Sequence, residues 1–309
     1  MNAHNKLIDT VSAIASPAAS SPAIDSPAID SPAIDSPAMG SAGLTAEDRV
    51  RQTLNELDQL AKQLNEDDQY SPSVPATLPE TDTLVSIVVP IFNEVNTLRK
   101  ITARLLSIPL NTEIVMVDDG STDGTIEQLH ELAKLPNVKV ILKAQNSGKG
   151  AALRTGFEHT TGDVVLVQDA DLEYDPRDIP GLIQPIVENR ADVVYGSRFL
   201  AEQHENSSFI HRLGNKVLTW CSNLTTGLGL TDMETCYKVF DGDVIRQIPV
   251  RQNRFGFEPE VTAKIARRGL RVVELPIRYV ARDWQEGKKI GIKDAISAFY
   301  CICRYALRD

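Results

Sequence analysis

The sequence predicts an α/β domain built on a mostly parallel sheet, with helices on both faces and a disordered N-terminal tail ahead of it. Three observations carry this. Short, almost wholly apolar runs rich in valine and isoleucine recur between residues 84 and 197, which is how strands buried on both faces read. Helical periodicity fills the interval after nearly every one of them, the signature of strand–helix–strand units. Residues 1–44 carry a proline-spaced repeat, with Ser-Pro-Ala-Ile-Asp at 21–25, 26–30 and 31–35 and a decayed copy at 36–40. Proline every fifth residue forbids helix and ladder pairing, and the apolar content is too thin to offset ordering entropy.

After the tail, Thr45-Ala46-Glu47-Asp48 reads as a capping box with aspartate in place of glutamate. Val50, Leu54, Leu57, Leu60 and Leu64 follow at spacings of four and three, so residues 45–66 form a helix with one narrow apolar seam. That seam suits docking on the main domain, or pairing with another copy as a short coiled coil. Residues 67–82, with prolines at 72, 75 and 79, read as a linker, and 83–309 as the main domain. Within it the patterns predict strands at 85–90, 113–118, 138–143, 163–168 and 192–196. Helices are predicted at 94–106, 122–134, 150–159 and 178–189. Farther on, Leu213, Val217, Leu218, Trp220 and Leu224 mark an amphipathic helix. Residues 292–307 form another, with Ile296, Phe299, Tyr300, Cys303 and Leu307 on one face and Lys293, Arg304 and Arg308 flanking it. That face closes the core or lies on a membrane surface.

A net charge of −10 argues against a general nucleic-acid binder. Cys221, Cys236, Cys301 and Cys303 form no C-x-x-C pair, as expected of reduced thiols rather than a zinc site. No apolar run approaches the roughly 20 residues of a membrane span, and the first residues lack a signal-peptide core. The expected location is the cytoplasm, with attachment at the cytoplasmic face of a membrane open.

The chemistry gathers at the strand ends. Val164-Val165-Leu166-Val167-Gln168-Asp169-Ala170-Asp171 runs from a buried strand into two carboxylates spaced i, i+2. A hard divalent cation takes carboxylate oxygens and keeps open positions for substrate phosphates, so this tip suggests a metal–diphosphate site. Strand 85–90 ends in Pro90-Ile91-Phe92-Asn93-Glu94, and strand 113–118 in Asp118-Asp119-Gly120-Ser121-Thr122-Asp123. Asn146-Ser147-Gly148-Lys149-Gly150 precedes the third helix of the domain. Ligands of parallel sheets sit outside the carboxyl ends of the strands, and all four clusters fall there. A turn or helix-cap role explains any one of them, but not all four at one edge.

The pattern PIFNE, VDDGSTDGT, NSGKGAALRTG, DADLEYDP and GSRF resembles the family 2 inverting glycosyltransferases of GT-A fold. Within them it is similar to the dolichol-phosphate mannosyltransferase and polyprenyl-phosphate glycosyltransferase branch. The resemblance covers residues 84 to about 305. It implies a Rossmann-like sheet and transfer of a hexose from a GDP- or UDP-sugar to a polyprenyl phosphate with Mg2+ or Mn2+. It implies Asp171 and Glu173 as metal ligands and Asp169, with Ala170, against nucleotide and sugar. It implies Pro90, Phe92 and Glu94 in the nucleotide pocket, where Phe92 replaces a more usual tyrosine, and Val117 and Asp119 at base and ribose. Arg198 would contact the donor, and Lys149 lies where a cation approaches phosphate. Arg282, Lys288 and Lys289 match a loop whose cations close over the phosphates, with the two lysines competing for one role.

Asp232 matches an acceptor-side aspartate, while Met233-Glu234-Thr235-Cys236 departs from the Leu-Thr-Gly-Ser of relatives. A lipid phosphate is already ionised at neutral pH and attacks without a base; a hydroxyl acceptor needs one. Transfer to a saccharide or small-molecule hydroxyl is therefore the alternative reaction. A non-catalytic sugar-nucleotide-binding scaffold is the alternative of another class. Without membrane-spanning helices, a lipid acceptor calls for a peripheral enzyme or a membrane partner subunit.

Overall fold

The computed structural model describes residues 45–66, 83–200, 209–281 and 292–307. The repeat tail, the 67–82 linker and the loop carrying Arg282, Lys288 and Lys289 lie outside the described residues.

Helix α1 (Ala46–Glu66) precedes β1 (Leu84–Ile91), α2 (Leu98–Leu106), β2 (Asn111–Asp118), α3 (Thr125–Leu132), β3 (Val138–Leu142), α4 (Lys149–Glu158) and β4 (Val164–Val167). A 3-10 turn (Pro176–Asp178) leads into α5 (Ile179–Val187), β5 (Val193–Ser197), α6 (Phe209–Thr226), β6 (Lys238–Asp241), α7 (Gly242–Arg246), α8 (Phe257–Arg267), β7 (Val272–Pro276) and α9 (Ile292–Leu307). The strands form one sheet in the order β3-β2-β1-β4-β6-β5-β7. Ile87 of β1 is in register with Ile114 of β2 on one side and Leu166 of β4 on the other, both parallel. β6 alone runs against its neighbours, with Val239 opposite Leu166 and Val194. The mostly parallel α/β fold is the expected one, and helices pack around the sheet.

The five predicted strands and four predicted helices all form, with ends shifted by a few residues. The largest shift is at α2. Asn93 sits in the left-handed region at φ 57, and residues 94–97 make a turn before the helix begins. β6 and β7 were not singled out from the sequence; Lys238 and Asp241 in β6, and Glu274 and Pro276 in β7, interrupt their short apolar runs.

The antiparallel course of β6 has a consequence for the site. Its first residue, Lys238, lies opposite Tyr195 near the carboxyl end of β5. The segment 231–237 that feeds β6 therefore enters at the same edge as the ends of β1, β2, β4 and β5.

Helix α1 docks on α2. Leu54, Leu57 and Ala61 are buried there, and Glu56 pairs with Arg99 at 2.9 Å. The cap forms as the sequence suggests: Asp48 N–H donates to Thr45 Oγ1 at 3.1 Å, and Thr45 N–H to Asp48 Oδ2 at 3.0 Å. The two later amphipathic helices turn their apolar stripes outward. In α6, Leu213, Val217, Trp220 and Leu224 face outward, while Thr219 and Ser222 are buried. In α9, Ile296, Phe299, Tyr300 and Leu307 are 49–85% exposed, and Ala298, Cys301, Ile302 and Tyr305 fill the inner face. Of the two placements open to the α9 face, core or surface, the structure puts it at the surface. The inner face is shared with α6 and α8, both packed against α9.

Candidate active site

The ends of β1 and β2 are tied together before any ligand arrives. Asn93 N–H donates to Ser121 Oγ at 2.8 Å, and Thr122 N–H donates to Asn93 Oδ1 at 2.8 Å. Asparagine suits a left-handed position because its short amide bonds locally. Phe92, in this loop, stays 45% exposed, a large aromatic face at the mouth. Pro90 lies in register with Val117, whose side chain is wholly buried in the core. Glu94 is partly exposed and accepts from Thr97 Oγ1 at 2.5 Å.

Asp119 is 3% exposed. Its carboxylate accepts from the N–H groups of Ser147 (3.0 and 3.1 Å) and Gly148 (2.6 Å) and pairs with Lys143. It therefore fixes the loop before α4. Gly148 lies at φ 100, and a Cβ there would meet Asn253 O at 2.4 Å; one on Gly150 would meet Gln252 O at 2.3 Å. Only glycine permits that approach.

Lys149, freed from neither side, bridges two carboxylates: Asp169 at 2.9 Å and Glu258 at 3.7 Å. Burial would push its amine down, but Asp169 and Glu258 hold it well above the usual lysine range. Asp171 and Glu173 follow Asp169 across Leu172, which is left-handed at φ 63. Glu173 N–H donates to Asp171 Oδ1 at 3.1 Å, and Tyr279 O–H donates to Glu173 Oε2 at 2.7 Å. Ala170 is buried between the carboxylates. Among the described residues no group of three or more His, Cys, Asp or Glu side chains is placed to hold a metal ion. Asp171 and Glu173, joined by the Glu173 N–H to Asp171 hydrogen bond, offer only carboxylate oxygens, the donor type that Mg2+ or Mn2+ takes alongside water and phosphate.

Arg198 follows β5 and faces Asp232. Its Nε and Nη2 donate to Asp232 Oδ2 (2.7 Å) and Oδ1 (2.8 Å), and its N–H donates to Oδ2 at 3.1 Å. Asn215 Nδ2 adds a bond to Oδ1 at 2.9 Å. Burial pushes the Asp232 carboxyl up, but Arg198 and these bonds overcome it and leave the pKa below the ordinary value. The Arg198 guanidinium also lies 5.2 Å from the Tyr279 ring centre. Thr231 and Asp232 N–H groups donate to Glu274 at 2.8–3.0 Å, anchoring the loop to β7.

Sequence reasoning missed several of these partners. Lys143, Asn215, Glu274 and Tyr279 reach the site from distant segments, with no local motif to mark them. Glu258, in the first turn of α8, is 4% exposed and aimed inward; Glu260 accepts from Arg251 and Gln252 N–H and pairs with Lys264 at 2.6 Å.

The family model for glycosyl transferase family 2 matches residues 86–245, more than half of the chain. The chain belongs to glycosyl transferase family 2. It is 30% identical over 227 residues to the undecaprenyl-phosphate 4-deoxy-4-formamido-L-arabinose transferase of Edwardsiella ictaluri, covering 72% of this chain and 67% of that protein. It is 30% identical over 219 residues to the undecaprenyl-phosphate mannosyltransferase of Micrococcus luteus, covering 67% and 88%. Among solved structures, glucosyl-3-phosphoglycerate synthase of Mycobacterium tuberculosis, in complex with Mn2+, UDP and phosphoglyceric acid, superposes with TM-score 0.59 at 19% identity, covering 78% of this chain and 86% of that one. Mannosyl-3-phosphoglycerate synthase of Rubrobacter xylanophilus superposes with TM-score 0.55 at 20% identity, covering 84% and 81%. At such identities the likeness is one of fold, the GT-A arrangement. This family 2 protein is a glycosyltransferase.

Proposed function

We propose that this family 2 glycosyltransferase moves a hexose, with inversion, from a nucleotide sugar to a polyprenyl phosphate, using a divalent cation. The state of Asp232 carries this reading. The resemblance assigns it to the acceptor side, and it is fully buried, bound by Arg198 through both oxygens and more acidic than usual. Such a group is a poor general base. A phosphate acceptor needs none, because its oxygen is ionised at neutral pH. The two undecaprenyl-phosphate transferases support the same acceptor class.

In this reading Asp171 and Glu173 hold the cation. When bound, it neutralises charge developing on the leaving diphosphate. Arg198, oriented by Asp232 and Asn215, presents its guanidinium to phosphate oxygens. Phe92 offers a stacking face for the base, beside Pro90 and Glu94, and Asp119 holds the loop that positions Lys149. Lys149 fixes Asp169 and, with Arg198, keeps positive charge beside the diphosphate. Arg282 and Lys288 or Lys289 complete the phosphate clamp. The donor base is guanine or uracil, and the cation Mg2+ or Mn2+; the M. tuberculosis synthase was solved with Mn2+ and UDP.

No described helix is long and apolar enough to cross a membrane. The outward apolar faces of α6 and α9 give a way to reach a lipid acceptor from the membrane surface. The four cysteines are free thiols, in keeping with the cytoplasmic side. A membrane partner subunit is the other route to the acceptor.

One observation favours the hydroxyl-acceptor alternative: Glu234, nearby, has its carboxyl pushed up to about 8 by burial and by Glu258, in the range of a base. The deciding experiment incubates the enzyme and Mn2+ with radiolabelled GDP- or UDP-sugars and either short-chain polyprenyl phosphate or saccharide acceptors. Label in an acid-labile lipid fraction is the expected result. Label only in saccharide, with an acidic limb in the pH–rate profile that Glu234→Gln abolishes, overturns the phosphate reading.

A further inference from the structure

Nine buried side-chain oxygen or nitrogen atoms among the described residues have no hydrogen-bond partner, and four of them gather around one loop: Asn215 Oδ1, Glu234 Oε1, Thr235 Oγ1 and Glu258 Oε2. Leaving such an atom buried and unpaired costs about 1–3 kcal/mol, more for a charged group. Buried groups of this kind are met by an ordered water or by a bound ligand.

The surroundings say what would meet it. Glu258 is 4% exposed, and its other carboxylate oxygen is 3.7 Å from Lys149, which pairs with Asp169 at the tip of β4. The Cys236 thiol also bonds Asp169, and burial keeps that thiol protonated. On the far side Glu234 feels Arg198 and Asp232 at the tip of β5. The two glutamates thus lie between the β4 tip, where the diphosphate would be bound, and the β5 tip, where Arg198 stands. Nearby Lys238 does not answer them with a free ammonium. Its Nζ donates to the carbonyls of Met233 and Thr235, the first at 2.9 Å, and stands 4.8 Å from the Tyr195 ring centre. Carboxyl groups are poor partners for phosphate oxygens, so the phosphates belong to Arg198, Lys149 and the cation. Unpaired carboxyl oxygens match neutral donors, and hydroxyls bonded to them are fixed in number and direction.

We propose that Glu234 and Glu258, with Thr235 beside them, hold the hydroxyl groups of the donor's sugar ring and select which sugar is transferred. This rests on the nucleotide-sugar reading above and adds residues to it. A sugar joined to a diphosphate at Asp171 and Arg198 is one ester bond from both, which brings its hydroxyls alongside the pair. The loop 231–237 then serves as a selectivity loop. It is pinned by Glu274, by Tyr174 O–H accepting from Cys236 N–H at 3.1 Å, and by Tyr237 O–H donating to Gln168 Oε1 at 2.6 Å. A rigid frame of this kind is what discrimination among hydroxyl patterns requires, because a site built to bond a hydroxyl strongly rejects the analogue lacking it.

The test titrates full-length enzyme with Mn2+ and four probes: UDP, UDP-glucose, GDP and GDP-mannose. Singly deoxygenated forms of whichever sugar nucleotide binds follow. In the wild type, removing a bonded hydroxyl is expected to weaken binding about tenfold or more. In Glu234→Gln that penalty shrinks to about threefold or less, while affinity for the bare nucleoside diphosphate stays as in the wild type; in Glu258→Gln the penalty shrinks likewise when measured against that variant's own affinity for the nucleoside diphosphate, since Glu258 also neighbours Lys149. The deoxy series on wild-type enzyme needs no variant to fold. Deoxy analogues that all bind like the parent overturn the proposal, and so does a penalty unchanged in both variants, or one moved to the KM for polyprenyl phosphate. Bare nucleotide that binds normally while these fail leaves the function above standing; wild-type enzyme that binds no nucleotide sinks both.

Discussion

At the scale of single residues, the site is a set of carboxylates given different work by their partners. Asp171 is partly exposed at a strand tip, outside the core, so Asp171→Asn should lower transfer about a hundredfold or more while leaving the melting temperature nearly unchanged. Full activity in the variant, or in wild type with excess chelator, would remove the metal role. Asp232 is the opposite case. Asp232→Asn leaves Arg198 without its buried counter-charge and should cost about 2–4 kcal/mol in chemical denaturation. The folded Asp232 is more acidic than the unfolded one. Its stabilisation is therefore present above about pH 4 and lost as pH falls through the folded value. Neutral-range activity profiles of this variant should keep their shape. Glu234 has the reverse sign. Burial and Glu258 raise its pKa from 4.5 to about 8, so the folded state holds a proton the unfolded state has released. Wild-type stability should decline relative to Glu234→Gln between about pH 4.5 and 8, then level off. Parallel denaturation curves for the two proteins across that interval would contradict the burial argument.

At the scale of elements, how much was legible depended on whether the signal was contiguous. The strand ends could be read because each packs its polar residues within a few positions of an apolar run: PIFNE, VDDGST, DAD. The Lys149–Asp169–Glu258 bridge could not, since it joins three elements far apart in the chain and each member has an ordinary local role. Helix faces were left open for a second reason. Periodicity shows that a helix has an apolar stripe, but not which way the stripe turns; in α6 and α9 it turns out, because Thr219, Ser222 and Ala298 suit the close approach of helices inside. The docking of α1 was read correctly because its seam is narrow and the rest of the helix charged. Leu57, 1% exposed, should then cost about 2–4 kcal/mol on mutation to alanine, read from urea melts. A change of only a few tenths would mean that α1 is dispensable to the domain. Gly148→Ala tests the loop before α4: with φ 100 and Asn253 O at 2.4 Å from the new methyl, a loss of about 2 kcal/mol or more is expected, with weakened nucleotide binding. An alanine variant as stable and as tight as wild type would show that the loop has other conformations to use.

At the scale of the whole molecule, one sheet edge collects the groups we assign to donor, cation and sugar selection, while α6 and α9 lie side by side with their apolar stripes turned outward. Trp220→Glu combined with Leu224→Glu should lower cosedimentation with anionic lipid vesicles by about tenfold and leave the affinity for nucleoside diphosphate unchanged, since both residues are surface-exposed. Equal cosedimentation would assign that surface to a protein partner instead. The outward stripes also decide what concentration means for this enzyme. If catalyst and acceptor share one interface, encounters occur in two dimensions, and the rate follows acceptor molecules per lipid, not per litre. Adding inert lipid at constant total acceptor would then slow the reaction by surface dilution, although no component in the tube has become scarcer.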